Sequence, residues 1–159
     1  MSFLNTMDIT TSALTAERLR MDVIAQNIAN IDNTRAADGG PYRRRLVVFQ
    51  EKQLSFQSTL EREAYKISAN PMRTGRLATG NTVNGGVRVE EIIQDQSDFV
   101  PVYNPSHPDA DEDGYVLMPN VDRAEENIDL MAASRSYEAN ITTLNVIKAM
   151  AMKAAELTK

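Results

Sequence analysis

The sequence has no cysteine, no tryptophan and a single histidine among its 159 residues. The missing cysteine removes disulfide frameworks, iron–sulfur clusters and thiol catalysis, and with one histidine the usual zinc sites go too. Stability has to rest on packing. No apolar run is long enough to span a membrane, and the opening Met1-Ser2-Phe3-Leu4-Asn5 offers neither a basic nor an apolar signal region, so no Sec-type signal is readable. Glycine-rich phosphate loops, nucleophile elbows and dinucleotide fingerprints are also missing, which leaves an enzyme nothing to work with and implies no cofactor. Positive charge is in the minority, 17 Lys and Arg against 22 Asp and Glu. The resulting net charge of -5 is opposite to that of a nucleic-acid-wrapping protein, so nucleic acid is not an expected partner.

What is present favours helices at the two ends. Hydrophobic residues make up 42% and charged ones 25%, a globular balance. From Phe3 to Ile31, Met7, Leu14, Met21 and Ile28 recur at heptad spacing with no Pro or Gly between them, which predicts a long helix with an apolar seam. It should end near Asn30, where Asn30, Asp32, Asn33 and Thr34 compete for backbone groups ahead of Gly39-Gly40-Pro41. At the other end Leu130, Tyr137, Leu144 and Ala151 repeat at the same spacing, with Ala133, Ile147 and Ala154 on the adjacent row and Asn140 interrupting it. Asn140 reads either as a register device or as a solvent-facing residue. Neither helix is expected to bury its whole stripe in one copy. Met7, Leu14, Met21, Ile28, Asn30, Leu130, Tyr137, Asn140, Leu144 and Ile147 are therefore the candidate assembly interface.

Between the helices the pattern changes to β. Tyr42 to Phe49 reads as a strand, Phe56 is a candidate extension, Asn84-Gly85 carries a type I′ hairpin signature, and Val87, Val89 and Ile92-Ile93 supply a returning strand. Leu54 to Asn84 has no clean period. Pro101, Pro105, Pro108 and Pro119 make Phe99 to Asn120 an extended or turning connector. The expected fold is thus α+β, with residues 1–34 and 120–159 pairing as an antiparallel coiled-coil-like unit around a β-rich middle, 35–119.

Two charged clusters invite chemistry. Asp109, Asp111, Asp113 and Gly114 match the first half of a calcium loop, but Leu117 and Asn120 fall at its ninth and twelfth positions, where a ligand and a bidentate Glu belong. A calcium-binding module is the alternative function, and a solvated acidic turn or inter-subunit contact the plainer reading. Arg43, Arg44 and Arg45 beside Tyr42 could grip phosphates, yet a single short basic run in an acidic chain more often pairs with carboxylates. The two clusters are expected to meet, directly or across subunits. His107, without a second base or an oriented nucleophile, reads as a loop residue.

Three separated stretches carry a resemblance. Asn27-Ile28-Ala29-Asn30 with Gly39-Gly40-Pro41-Tyr42-Arg43-Arg44, then SHPDADEDGYV from Ser106 to Val116 with Met118-Pro119-Asn120-Val121, and finally SRSYEAN from Ser134 to Asn140 occur in the order found in flagellar axial proteins. The chain resembles the rod, hook and hook-associated proteins of the bacterial flagellum over nearly its whole length, and the proximal rod subunits in particular. Asn33 and Asn127 depart from the family pattern. The resemblance implies a non-enzymatic structural subunit that stacks with its own copies and with other rod proteins in the periplasmic rod of the basal body, where it carries torque and encloses the export channel. It also implies passage through the flagellar type III export apparatus without a cleaved signal.

Overall fold

The computed structural model describes residues 3–36, 39–52 and 85–156. Its elements run in the order α1 (Phe3–Ala29), β1 (Arg45–Glu51), β2 (Val87–Gln94), β3 (Val100–Tyr103), β4 (Tyr115–Met118) and α2 (Arg123–Glu156). The layout is α+β, two terminal helices with small antiparallel sheets between them.

Local chemistry accounts for both helices. The hydroxyl-rich stretch of α1 stays helical because each hydroxyl turns back on the preceding turn: Thr10 Oγ1 donates to the Thr6 carbonyl at 2.9 Å and Thr11 Oγ1 to that of Met7 at 2.8 Å. Thr10 is buried on those terms. Past Ala29 the asparagines take over, with Asn30 Nδ2 donating to the Gln26 carbonyl and Asn33 Nδ2 to Asn30 Oδ1, and the helix stops. At the start of α2, Asp122 Oδ1 accepts the Ala124 amide at 2.7 Å, and Glu125 and Glu126 place carboxylates in the first turn, where the helix dipole favours them.

The helices pack antiparallel. Asn27 near the end of α1 meets Glu126 near the start of α2, and Arg20 lies 3.8 Å from Asp129. Along α2 the buried and half-buried residues Glu126, Leu130, Ala133, Tyr137, Asn140, Leu144, Ile147 and Ala151 step by four and three, the period of a coiled-coil seam. On α1 the matching row is Met7, Thr10, Leu14, Glu17, Met21, Ile24 and Ile28, continued by Ile31 just past the helix end. Only Thr10, Ile24, Glu126, Ala133 and Ile147 in these rows are buried outright. At 1.5 Å per residue the 34-residue α2 is about 10 Å longer than the 27-residue α1. Met150 and Met152, near its end, are 65% and 59% exposed.

The strand expected over 42–49 is realised over 45–51, because Tyr42 and Arg44 are engaged with the helix ends and Arg43 with the loop after β2. β1 pairs antiparallel with β2 and the pair rests on α1. Val48 faces Glu91 while Phe49 faces Val89, so Glu90 is the extra residue of a bulge. Phe56 and the aperiodic stretch from Leu54 to Asn84 lie outside the described residues. So does Asn84 of the expected turn; Lys52 N donates to the Gly86 carbonyl and Gly85 N to that of Lys52, which sets β2 beside β1. The connector expected from Phe99 to Asn120 holds a second hairpin, β3 with β4. Proline is tolerated there because the bond from Asn104 N to the Gly114 carbonyl fixes the ladder's alternation and leaves the Pro101 nitrogen facing outward. No described helix is long and apolar enough to cross a membrane.

Gly86 fixes how closely β2 can approach α1. Its φ is +95°, and a Cβ there would sit 2.2 Å from Ser12 Oγ, the atom that accepts the Val87 amide. Gly86→Ala is expected to destabilise the chain by about 1–3 kcal/mol through strain and loss of that bond, seen as a lower midpoint in urea unfolding.

Candidate assembly site

The most constrained polar group in the chain is the carboxylate of Glu126. Its position follows the same three-and-four spacing as Leu130, Ala133 and Tyr137, which turns a charged side chain into the helix pair, 1% exposed. A lone buried carboxylate would cost several kcal/mol, so it needs partners. Arg44 Nε donates to its Oε1 at 2.5 Å and Asn27 Nδ2 to its Oε2 at 3.1 Å. The Arg44 fork extends further, reaching Glu125 at 3.1 Å and Asp129 at 3.3 Å. Burial by itself would lower the Arg44 pKa. The Glu126 hydrogen bond, with the charges of Glu126 and Glu125, outweighs it and raises the pKa above the ordinary value.

Asn27, also 1% exposed, ties this cluster to the sheet. Its Nδ2 donates to the Arg45 carbonyl at 2.9 Å as well as to Glu126, and its Oδ1 accepts from the Tyr42 hydroxyl at 2.9 Å and the Arg45 amide at 3.0 Å. All four hydrogen-bonding positions of one amide are thereby used. The Tyr42 pKa is raised, chiefly by burial. Asn120 extends the junction: its Oδ1 accepts the Arg44 amide at 2.9 Å and its Nδ2 donates to Ser97 Oγ at 2.8 Å. The end of α1, the lead-in to β1, the loop after β2 and the start of α2 thus converge on one polar core.

The expected meeting of the arginine run with the acidic turn does not occur within the chain, because each finds a nearer partner. Arg43 donates to the Asp95 and Ser97 carbonyls at 3.2 Å and lies 4.3 Å over the Phe99 ring. Arg44 belongs to the cluster around Glu126, and Arg45 lies 5.7 Å from the Tyr42 ring. Asp109 instead accepts the Thr34 hydroxyl at 2.8 Å and pairs with Arg35, a clasp joining the β3–β4 loop to the chain just past α1. Asp111 and Asp113 are exposed. Among the described residues no group of three acidic or histidine side chains could hold a metal ion, and Asp109 is already committed to a cation. His107 Nδ1 accepts the Asp109 amide at 3.1 Å, a loop role.

The stripe residues expected at an interface take several settings. Met7, Leu14, Met21, Ile28, Asn30, Leu130, Tyr137, Asn140 and Leu144 are half-buried and Ile147 is buried. Exposed apolar residues lie elsewhere on α2, at Ile128, Met131, Ile141, Val146, Met150 and Met152. Sequence reasoning missed Glu126 and Asn27 as site residues. The available signal was a polar residue on an apolar helical row, which for Glu126 predicts a buried partner.

The first and last helices also carry the likeness to known proteins. The family described as flagella basal body rod protein matches residues 7–36, and the one described as flagellar basal body rod FlgEFG protein C-terminal matches 112–157. The flagellar basal-body rod protein FlgC of Bacillus subtilis (strain 168) is 45% identical with both chains covered in full. That of Escherichia coli O157:H7 is 40% identical over 99% of this chain and 98% of its own, and that of Borreliella burgdorferi 40% over 94% and 93%. The chain belongs to the FlgC family of flagellar basal-body rod proteins. It is a structural subunit of the basal-body rod. For a FlgC-family chain the polar junction is a feature of construction, since it joins the two terminal segments that the family matches span.

Arg44→Ala would strand Glu126 in the interior and is expected to cost about 3–5 kcal/mol in chemical denaturation. The Asp109 clasp gives a pH signature. The Thr34 hydrogen bond first, and the Arg35 charge next, lower the folded-state pKa of Asp109. Its contribution is therefore complete above the unfolded carboxylate value, about 3.9, and lost as pH falls through the lower folded value. Asp109→Asn should flatten that part of the stability-against-pH curve.

Proposed function

We propose that this chain is a non-enzymatic subunit of the proximal rod whose copies stack helically through their terminal helix pairs, together with other rod proteins, to form part of a torque-carrying shaft around an export channel. The observation that carries this reading is the set of exposed apolar residues on α2 outside the seam, with Ile128 at 62% and Met150 at 65%, on a helix whose seam is already occupied by α1. Exposed apolar surface of this kind is removed from water by association, at about 25 cal/mol per Å² buried. The seam residues Met7, Leu14, Met21, Ile28, Asn30, Leu130, Tyr137, Asn140 and Leu144 then have two jobs, holding the pair together and offering their half-exposed edges to neighbours, while the buried Ile147 serves the pair alone. Methionine suits such a contact because its unbranched chain adapts to slightly different settings.

Charge supports the same direction of approach. From residue 89 to 122 the sequence carries nine carboxylates and no Lys or Arg. Copies brought together by their hairpins would oppose like charges, whereas contact through α2 avoids this. Identical contacts that do not close into a ring generate an open helical array. Delivery by the flagellar type III export apparatus completes the reading, in keeping with the family's place in the rod.

The test separates folding from assembly. Met150→Glu places a charge on the exposed end of α2 and is expected to leave thermal unfolding within about 0.5 kcal/mol of the parent, the usual range for surface substitutions, while abolishing swimming and rod formation. Leu144→Asp, within the seam, should lose both. Normal rods and swimming in cells carrying Met150→Glu would refute assembly through this surface.

A further inference from the structure

Among the described residues the β1–β2 sheet touches α1, and not α2, across incomplete packing. A cavity of about 220 Å³ lies between α1 and β1, lined by Val23, Ile24, Leu46 and Val47 together with the junction residues Asn27, Arg44 and Glu126, and a second of about 560 Å³ opens between the first half of α1 and Val87 to Val89, where the Val87 amide donates to Ser12 Oγ. Apolar contacts around such spaces are non-directional, and with the one bond to Ser12 they leave a sheet free to settle at a range of angles. The polar junction is the opposite. It has one arrangement in which both oxygens of Glu126, all four positions of Asn27 and the fork of Arg44 are used. Hydrogen bonds weaken steeply with misalignment, so a rotation of the sheet on the helices breaks several at once.

We propose that Asn27, Arg44 and Glu126 select a single angle between the helix pair and the β1–β2 sheet, and so act as orientation-determining residues for assembly. The proposal rests on the rod-subunit reading, because a helical array repeats only if every copy presents its surfaces at the same angle. Buried ionic clusters add little net stability over well-packed apolar residues of similar volume, but they specify arrangement where apolar alternatives do not. The expectation is thus a separation of stability from uniqueness.

The chain's lack of cysteine makes the measurement direct. Spin labels at Glu91→Cys on β2 and Lys148→Cys on α2, both exposed, report the angle as an electron–electron distance distribution. The full-length parent should give one narrow distance. In the double variant Arg44→Met, Glu126→Met the helical signal and melting temperature should persist while the distribution broadens at least twofold and rod formation falls at least tenfold. Arg44→Lys keeps the charge but loses the fork, and should fold with intermediate broadening. Parent-like narrow distances in the folded double variant or in Arg44→Lys would overturn the proposal, as would unfolding of the double variant, which would make the cluster a stabilising element. Full swimming with a broadened distribution would overturn the link to assembly. Cells that build rods without the chain would instead refute the rod-subunit reading itself.

Discussion

A carboxylate that faces inward from the first turn of a helix dictates much of what surrounds it. Glu126 can be buried only if a cation and an amide reach it, and the ones that do, Arg44 and Asn27, lie 82 and 99 residues away in sequence. The start of α2 must therefore stand at the end of α1, at the point where the chain turns into β1. From that placement the antiparallel pairing of the helices follows, since α1 runs toward the junction and α2 away from it. Asn27 adds the sheet, because two of its bonds are to the Arg45 backbone.

The junction also imposes an order on completion. The bonds of Asn27 to Tyr42 and Arg45 join residues 15 and 18 apart and can form while α2 is still absent. Arg44 and the fourth position of Asn27 are satisfied only when residues 125 to 129 arrive. Closing so long a loop is entropically costly, and the return comes from the apolar seam, while the charge-assisted bonds fix the point at which it closes. The helix pair and the sheet are consequently one cooperative unit, in contrast to the β3–β4 hairpin, which is attached to the end of α1 by the Asp109 clasp with Thr34 and Arg35.

The helices were legible because their signal is local and repeated: heptad spacing, no internal Pro or Gly, and asparagine-rich or acid-capped ends. Leu46 to Phe49 and Val87 to Ile93 showed as strands for the same reason, through β-branched and aromatic clusters. The second hairpin was not, since Pro101 argues against a ladder unless one already knows that its nitrogen faces away from the partner. The pairing of charges was legible in kind, but within the chain the partners differ from the expected ones. Three arginines and three aspartates are conspicuous in a row, but the chain pairs Arg44 with Glu125, Glu126 and Asp129, and Asp109 with Arg35. Attraction between opposite charges falls off with distance, and sequence alone does not give the distances. The family was readable because three motifs retained their order, whereas the reason for one of them, Asn27 above all, needed the geometry.

A rod subunit has to reconcile two demands that ordinary cores meet with one material. Contacts with neighbours of differing surface need side chains that tolerate small differences, and the exposed Met131, Met150 and Met152 on α2 are side chains of that kind. Each copy must nevertheless be internally uniform, or errors in its shape would accumulate along the array. Apolar packing alone serves the first demand and, around the cavities beside α1, is poorly suited to the second. Under the proposal above, the directional bonds buried between α1, β1 and α2 serve the second without stiffening the outer surface. The core is otherwise apolar, built on Ala16, Val23, Ile24, Ala133 and Ile147, so the buried polar residues Asn27 and Glu126 stand out as the directional element within it, while the methionines of α2 remain at the surface.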